Sequence, residues 1–207
     1  MEIRRAIEKG LDYFNIRYND EILIKLCFYM EELGKWNEHI NLTGVKNPSS
    51  IVEILLYDAF FMYSRVKESR IILDMGSGSG ILAIPIKILG ETCESQKVFS
   101  VDKSLKKIQF QRHIKRSLNL KEFAPVQGRI EMLDPIGADA LVVKGFGKAG
   151  EILENGGRHL KQGGRAFIVK GKNEVPQDIT GFYLNEDTLY SLPESERVYR
   201  LFIYQKV

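Results

Sequence analysis

Cysteine is nearly absent from this 207-residue chain, which has only Cys27 and Cys93. They stand far apart and outside any ligand-like spacing, which argues against a disulfide framework and against a metal site. Long apolar runs are missing too; none approaches the roughly 20 residues that a membrane-spanning helix needs. The opening MEIRRAIEKG carries no hydrophobic secretory segment, so a cytoplasmic protein that meets no membrane is expected. No segment repeats, and no low-complexity linker breaks the chain. Excess charge is small as well: a net +3 does not by itself imply a nucleic-acid partner. What is present, 44% hydrophobic residues, suits one compact body with a sizeable core.

The charge is unevenly placed. Lys103 to Arg116, KSLKKIQFQRHIKR, carries Lys103, Lys106, Lys107, Arg112, Lys115 and Arg116 with no acid among them. Such a run is either a solvated helix face or a surface that meets phosphates. Upstream, Ile22, Leu26, Tyr29, Met30 and Leu33 recur at helical spacing, with Gly34 as the expected stop. Asn47-Pro48 reads as the start of another helix, whose apolar face takes in Ile51, Ile54, Leu55, Phe61 and Met62. Asp58 falls on that same face, an odd place for a charge. It belongs either to a core rim or to a site.

After residue 70 the pattern becomes strand–helix alternation. Strands are expected at Arg70–Met75, Lys97–Val101, Phe123–Gln127, Ala138–Val143 and Ala166–Lys170, with helices starting near Gly80, Lys103, Arg129 and Gly147. Alternation of this kind predicts an α/β fold with a doubly wound, mostly parallel sheet. Thr188–Leu192 and Arg197–Gln205 then suit a closing antiparallel hairpin. The expected division is a helical N-terminal lobe over 1–65 and a sheet domain over 66–207.

The stretch from Ile71 to Gly80, IILDMGSGSG, ends an apolar run in an acid and three alternating glycines. Glycines after the first strand of an open parallel sheet let a ligand approach bare backbone. Asp74 beside that turn would repel a pyrophosphate, and Asp102, ending the second strand, suits the two hydroxyls of a ribose. A phosphate-free adenosine with a positive centre describes S-adenosylmethionine. In a dehydrogenase turn a third glycine stands where this chain has Ile81.

Leu73-Asp74-Met75-Gly76-Ser77-Gly78-Ser79-Gly80 resembles the first motif of the class I (Rossmann-like) S-adenosylmethionine-dependent methyltransferases. After the fourth strand, Val142-Val143-Lys144-Gly145-Phe146-Gly147 lacks the Pro-Pro-aromatic device of exocyclic-amine methylation, and no cysteine has the Pro-Cys setting of ring-carbon methylation. A ring nitrogen with a free lone pair, such as guanine N7, needs neither. Alignment alone can then drive transfer.

A closer likeness runs over nearly the whole chain. Lys35-Trp36-Asn37 with Asn41-Leu42-Thr43, Asp58, LDMGSGSGILAIPI from Leu73, VDKSLKKIQFQR from Val101 and APVQGRIEML from Ala124 resemble the bacterial 16S ribosomal RNA guanine-N7 methyltransferases, also called glucose-inhibited division protein B. That resemblance implies methylation of a guanine in the 530 loop of small-subunit rRNA; a monomer is expected. It implies that Asp74, Gly76, Ser77, Gly78 and Ile81 hold the cofactor at the first turn, Asp102 its ribose, and Ile130 and Glu131 its adenine edge. Lys144 stands where the family has arginine and Phe146 matches the aromatic beside it, so both, with Asp58, are expected to face the substrate or the cofactor carboxylate. Lysine loses the planar, two-pronged geometry of arginine. No catalytic base and no metal are expected. Trp36 is either a packing residue or a platform for a flipped base. Ser79 stands for the family's proline in the glycine loop, and on the substrate side Ile54 and Leu55 stand where the family has Arg-His, which with Lys144 removes three groups suited to RNA or guanine recognition. These departures leave two other readings open, a methyltransferase of a different RNA or small molecule, and a non-catalytic ribosome-binding module.

Overall fold

The computed structural model describes residues 2–43, 55–92, 95–145, 147–193 and 195–207. Phe146, Cys93 and the expected helix start at Asn47-Pro48 lie outside them. The chain opens with helix α1, Glu2–Tyr13, whose Ile7 and Leu11 are buried; the sequence reading had no element there. Helix α2, Asp20–Ile40, begins where Asn19 Oδ1 accepts the N–H of Ile22 at 2.9 Å. It does not stop at Gly34. A Cβ at that position would meet nothing within 4 Å, and Trp36 and Ile40 extend the apolar stripe beyond it, which offsets the roughly 1 kcal/mol that an interior glycine costs. The helix ends at Asn41, whose φ of 48° is the left-handed conformation that asparagine tolerates.

Helix α3, Tyr57–Val66, lies against α1. The Tyr57 hydroxyl donates to the Ala6 carbonyl at 2.8 Å, and a Cβ on Gly10 would fall 2.3 Å from the Tyr57 ring. Only glycine lets the two helices come that near.

From Ile71 the chain alternates. Strand β1 (Ile71–Met75) leads to α4 (Ala83–Leu89), β2 (Lys97–Asp102) to α5 (Leu105–Ser117), and β3 (Phe123–Gln127) to β4 (Ala138–Lys144). Helix α6 (Ala149–Gly156) precedes β5 (Leu160–Gly171), and β6 (Phe182–Ser191) and β7 (Val198–Lys206) close the chain. The seven strands stand in the order β3-β2-β1-β4-β5-β7-β6. The first five are parallel, and β7 runs antiparallel between β5 and β6. This is the expected doubly wound, mostly parallel sheet.

Two expectations need correction. The helix expected near Arg129 is a single 3-10 turn, Ile130–Met132, because Pro135 and Gly137, the latter at φ 72°, follow before β4 and leave no room for further turns. The closing antiparallel hairpin is present, its second strand beside β5, but its first strand starts at Phe182 rather than Thr188. The early part of β6 escapes sequence reading because it is an edge strand whose residues alternate half-buried and exposed, with Asn185, Glu186 and Asp187 in its middle.

Strand alternation sorts the core into two layers. Ile72, Val98, Ala140, Val142 and Phe167 face α1 to α5 in one cluster. Leu73, Met75, Leu141, Val143 and Ile168 face α6 and the 3-10 turns in the other. Each of these side chains except Ala140, fully buried, contributes about 1.5–3 kcal/mol. The first cluster runs without a break from α1 and α2 into the sheet. Among the described residues no helix is long and apolar enough to cross a membrane.

Candidate functional site

The strand order reverses between β1 and β4, and a ligand crevice belongs outside the carboxyl ends of the strands at such a switch point. Asp74 pairs with Val142 in the register of those strands. Position parity puts Asp74 and Lys144 on the face covered by α1 to α5, so both meet at the top of that layer.

The turn after β1 is built from the glycines. Gly76, Gly78 and Gly80 have φ of 70°, 59° and 80°, values that cost other residues about 1–2 kcal/mol. The N–H groups of Gly76 and Ser77 donate to the Val101 carbonyl at 2.9 and 3.0 Å, which ties the turn to the end of β2. Asp102 completes the tie: Oδ2 accepts the Gly78 N–H at 2.9 Å and Oδ1 the Ser104 N–H at 2.8 Å. A carboxylate offers about four lone pairs, so each oxygen retains one for a hydroxyl. Gln111 of α5, wholly buried, donates from Nε2 to Ser77 Oγ at 3.0 Å and to the Gly78 carbonyl at 2.8 Å. No motif pointed to Gln111; its one signal is an amide at a helix position otherwise facing the core.

Asp74 is 2% exposed. Its Oδ2 accepts the Ala83 N–H at 3.2 Å. Burial, with Asp102 nearby, pushes its carboxyl up to about 7, against the pull of that hydrogen bond.

Two recesses meet at this turn. One, of about 250 Å³, is lined by Asp74, Gly76, Ser77, Gly78, Ile81 and Lys144, with Leu42 and Thr43 opposite. The other, of about 420 Å³, is lined by Gly76, Asp102, Lys107, Gly128, Ile130 and Glu131. Gly76 and Gly145 belong to both. All the expected cofactor residues are thus brought together, and Phe146 is the one candidate outside the described residues. Together the recesses have the size of a small-molecule site, about 300–1,000 Å³. A Cβ at Gly78 would meet the Lys107 Nζ at 3.8 Å, an ordinary contact. That cation tempers the charge argument against a phosphate at this turn.

Leu42 and Thr43 reach the recess because Asn37 Oδ1 accepts the Thr43 N–H at 2.7 Å, just past the left-handed Asn41. This explains the N…N-L-T spacing. Trp36 is elsewhere: its ring stacks on His113 at 5.2 Å and meets Phe110 edge-on at 5.4 Å, and it lines neither recess. Packing is its observed role.

Asp58 is also 2% exposed, and it pairs with the Lys144 ammonium. The Tyr190 hydroxyl donates to its other oxygen at 3.3 Å. Burial pushes the Asp58 carboxyl up, while Lys144 and Tyr190 pull it down. Lys144 therefore stands on the seam between α3 and the cofactor turn, and its Nζ lies 5.8 Å from the centre of the Tyr199 ring. Tyr190 and Tyr199 carried no sequence signal.

A sheet of this order, with a tight glycine turn after β1 and an acid ending β2, defines a class I S-adenosylmethionine-dependent methyltransferase. The chain belongs to the family described as rRNA small subunit methyltransferase G, whose model matches residues 22–181. It is 33% identical over 174 residues to the Ribosomal RNA small subunit methyltransferase G of Syntrophotalea carbinolica, covering 82% of this chain and 78% of that one. The protein of the same name from a Geobacter species is 32% identical over 177 residues, covering 84% and 80%. Among solved structures, a SAM dependent methyltransferase from Aquifex aeolicus aligns with a TM-score of 0.59 at 14% identity, covering 76% of this chain and 93% of that one. A B. subtilis tRNA methyltransferase aligns at 0.53 with 16% identity, covering 70% and 65%. At such identities these structures bear on the fold alone. The cofactor of this class is S-adenosylmethionine, and the bare main chain over Gly78 with the acid Asp102 beside it fits that molecule.

Proposed function

We propose that this chain transfers a methyl group from S-adenosylmethionine to N7 of a guanine in the 530 loop of 16S rRNA, acting as a monomer in the cytoplasm. One observation carries this reading: the turn after β1, the end of β2 and the end of β4 converge on two joined recesses that take in both carboxylates and Lys144. Bound there, the cofactor supplies an electrophilic methyl group on a sulfonium.

The chain's own residues position it. Gly76, Ser77 and Gly78 would hold it through bare backbone, Asp102 would receive the ribose hydroxyls, and Ile130 and Glu131 would border the adenine. Asp74 and Ile81 border the amino-acid end, where an ionised Asp74 answers the ligand's ammonium. Lys144, held by Asp58, would take the cofactor carboxylate or the guanine, and the resemblance gives Phe146 a substrate-facing role. Guanine N7 already has a lone pair, so no base is needed and the barrier falls through alignment. The cations of Lys103–Arg116 lie on α5 and on the loop before it, and none is in an ion pair among the described residues. They meet rRNA phosphates, and Lys103 and Lys107 carry that surface to the recess.

Nucleoside mass spectrometry of 16S rRNA from cells lacking the protein tests this: 7-methylguanosine should disappear from the 530 loop, and an unchanged level would refute the assignment. Lysine at 144 and the Ile54-Leu55 pair support a second reading, a different RNA or a small-molecule substrate. Methyl transfer to purified small subunits against metabolite extracts separates the two. Calorimetry with S-adenosylmethionine and NAD separates both from a non-catalytic module or a dehydrogenase.

A further inference from the structure

A third cleft, of about 460 Å³, opens at the ends of β4 and β5 beneath the start of β7. Lys144 and Gly145 line both it and the cofactor recess, so the two share a wall. Lys170, Lys172 and Arg197 add three further cations, against one acid, Glu196, while Val169, Val198 and Tyr199 supply apolar surface. Lys170 donates to the Gly147 carbonyl, which holds it against the loop after β4; Lys172 and Arg197 are exposed. Tyr199 ends a ladder of rings: it stacks on Tyr190 at 5.6 Å and 27°, and Tyr190 stacks on Phe61 at 3.9 Å and 16°. Arg197 and Tyr199 lie beyond residue 181, where the family match ends.

We infer that this cleft receives the acceptor purine nucleotide, its base against Tyr199 and its phosphate on Lys172 and Arg197. Cations on an exposed rim around an aromatic wall are what a splayed, single-stranded nucleotide requires, since bases stack on aromatic rings and phosphates seek charge. The shared wall at Lys144–Gly145 sets the base next to the methyl donor. The charge balance of the lining favours an anion over a neutral metabolite.

The inference rests on the methyltransferase reading, and its test separates the two. Guanosine 5′-monophosphate is titrated at low salt into the full chain, with and without S-adenosylhomocysteine, and small-subunit methylation is followed in parallel. The wild type should bind the nucleotide without displacing S-adenosylhomocysteine. The K172A/R197A variant, altered only at exposed positions, should bind it about tenfold more weakly, keep its affinity for S-adenosylhomocysteine and its melting temperature, and show a raised KM for small subunits with kcat retained. Competition between the two ligands would overturn the inference, as would an unchanged KM together with unchanged or absent nucleotide binding. If the nucleotide binds as described and S-adenosylhomocysteine does not bind, the methyltransferase reading fails and the cleft assignment loses its acceptor role with it.

Discussion

Asp74 and Asp58 are buried to the same extent, each 2% exposed, yet the protein holds them in opposite ways. Asp74 has a single backbone N–H bond and a second acid, Asp102, for a neighbour, and its carboxyl is pushed up to about 7. Asp58 has an ammonium on one oxygen and a phenol on the other. A buried charge without a countercharge is costly and tends to take up a proton; a buried pair is held by mutual attraction. One side of the site is thus poised to receive a cation from outside, and the other already contains its own. This difference matches the reading in which the cofactor's ammonium lies near Asp74, while Lys144 serves as a fixed post toward the substrate.

Removing one member of the pair should have the largest effect. Lys144→Ala leaves Asp58 buried alone and should lower stability by about 3 kcal/mol, the lower end for a broken buried pair, because Lys144 is itself 24% exposed. Urea denaturation measures this. The double variant D58N/K144M should recover most of that stability without recovering methyl transfer. A single variant as stable as wild type would erase the contrast between the two carboxylates.

The unpaired acid predicts a pH effect on ligand binding of about the next size. Folded, Asp74 releases its proton near pH 7, against 3.8 in an unfolded chain. Between those values the folded chain keeps a proton that the unfolded chain has lost. This group's contribution to stability is therefore full below pH 3.8 and is lost as pH rises through 7. Ligand binding runs the other way, since the ligand's ammonium favours ionised Asp74. Affinity for S-adenosylhomocysteine should rise about tenfold between pH 6 and 8, as the ionised fraction goes from about a tenth to nine-tenths. Asp74→Asn should flatten both profiles. Calorimetry across that range is the measurement, and an unchanged slope in the variant would assign the titration elsewhere.

What could be read in advance follows the range of each interaction along the chain. The glycine turn, Asp74 and Asp102 were legible because they are fixed by short spacings at strand ends, and the five parallel strands by apolar runs. The pair of Asp58 with Lys144 joins positions 86 residues apart, and Tyr190 reaches Asp58 from 132 residues away on an edge strand. Nothing local marks such partners. Helix α1 has its own helical spacing in Ile3, Ile7 and Leu11, and α2 runs six residues past Gly34 because the contacts of Trp36 and Ile40 outweigh the propensity of one glycine. At Ile130 the sequence suggests a helix, but Pro135 and Gly137 confine it to one 3-10 turn.

Gln111 sharpens the comparison from the cofactor side. Its amide is the clasp on the glycine turn, so Gln111→Leu leaves Ser77 Oγ and the Gly78 carbonyl without that donor. Affinity for S-adenosylhomocysteine should fall about fivefold, in keeping with roughly 1 kcal/mol for one net hydrogen bond. Nucleotide binding in the third cleft should not change. A loss on both sides would mean that the two regions are coupled through α5.

The smallest effect is expected at Trp36, where the sequence left packing and base stacking open. Its ring already has one face on His113 and its edge at Phe110, and His113 in turn meets Glu32 at 2.8 Å through Nε2. Trp36→Phe keeps an aromatic in that stack, so it should cost about 1 kcal/mol of stability, as a smaller ring loses contact area. The KM for small subunits should change by less than about twofold, because a ring that lines neither recess has no base to lose. Tyr199→Leu, which removes the ring at the end of its ladder, should raise that KM. Should Trp36→Phe raise it and Tyr199→Leu not, the acceptor would enter beside α2 rather than beneath β7, and the substrate side of the comparison would have to be redrawn around His113.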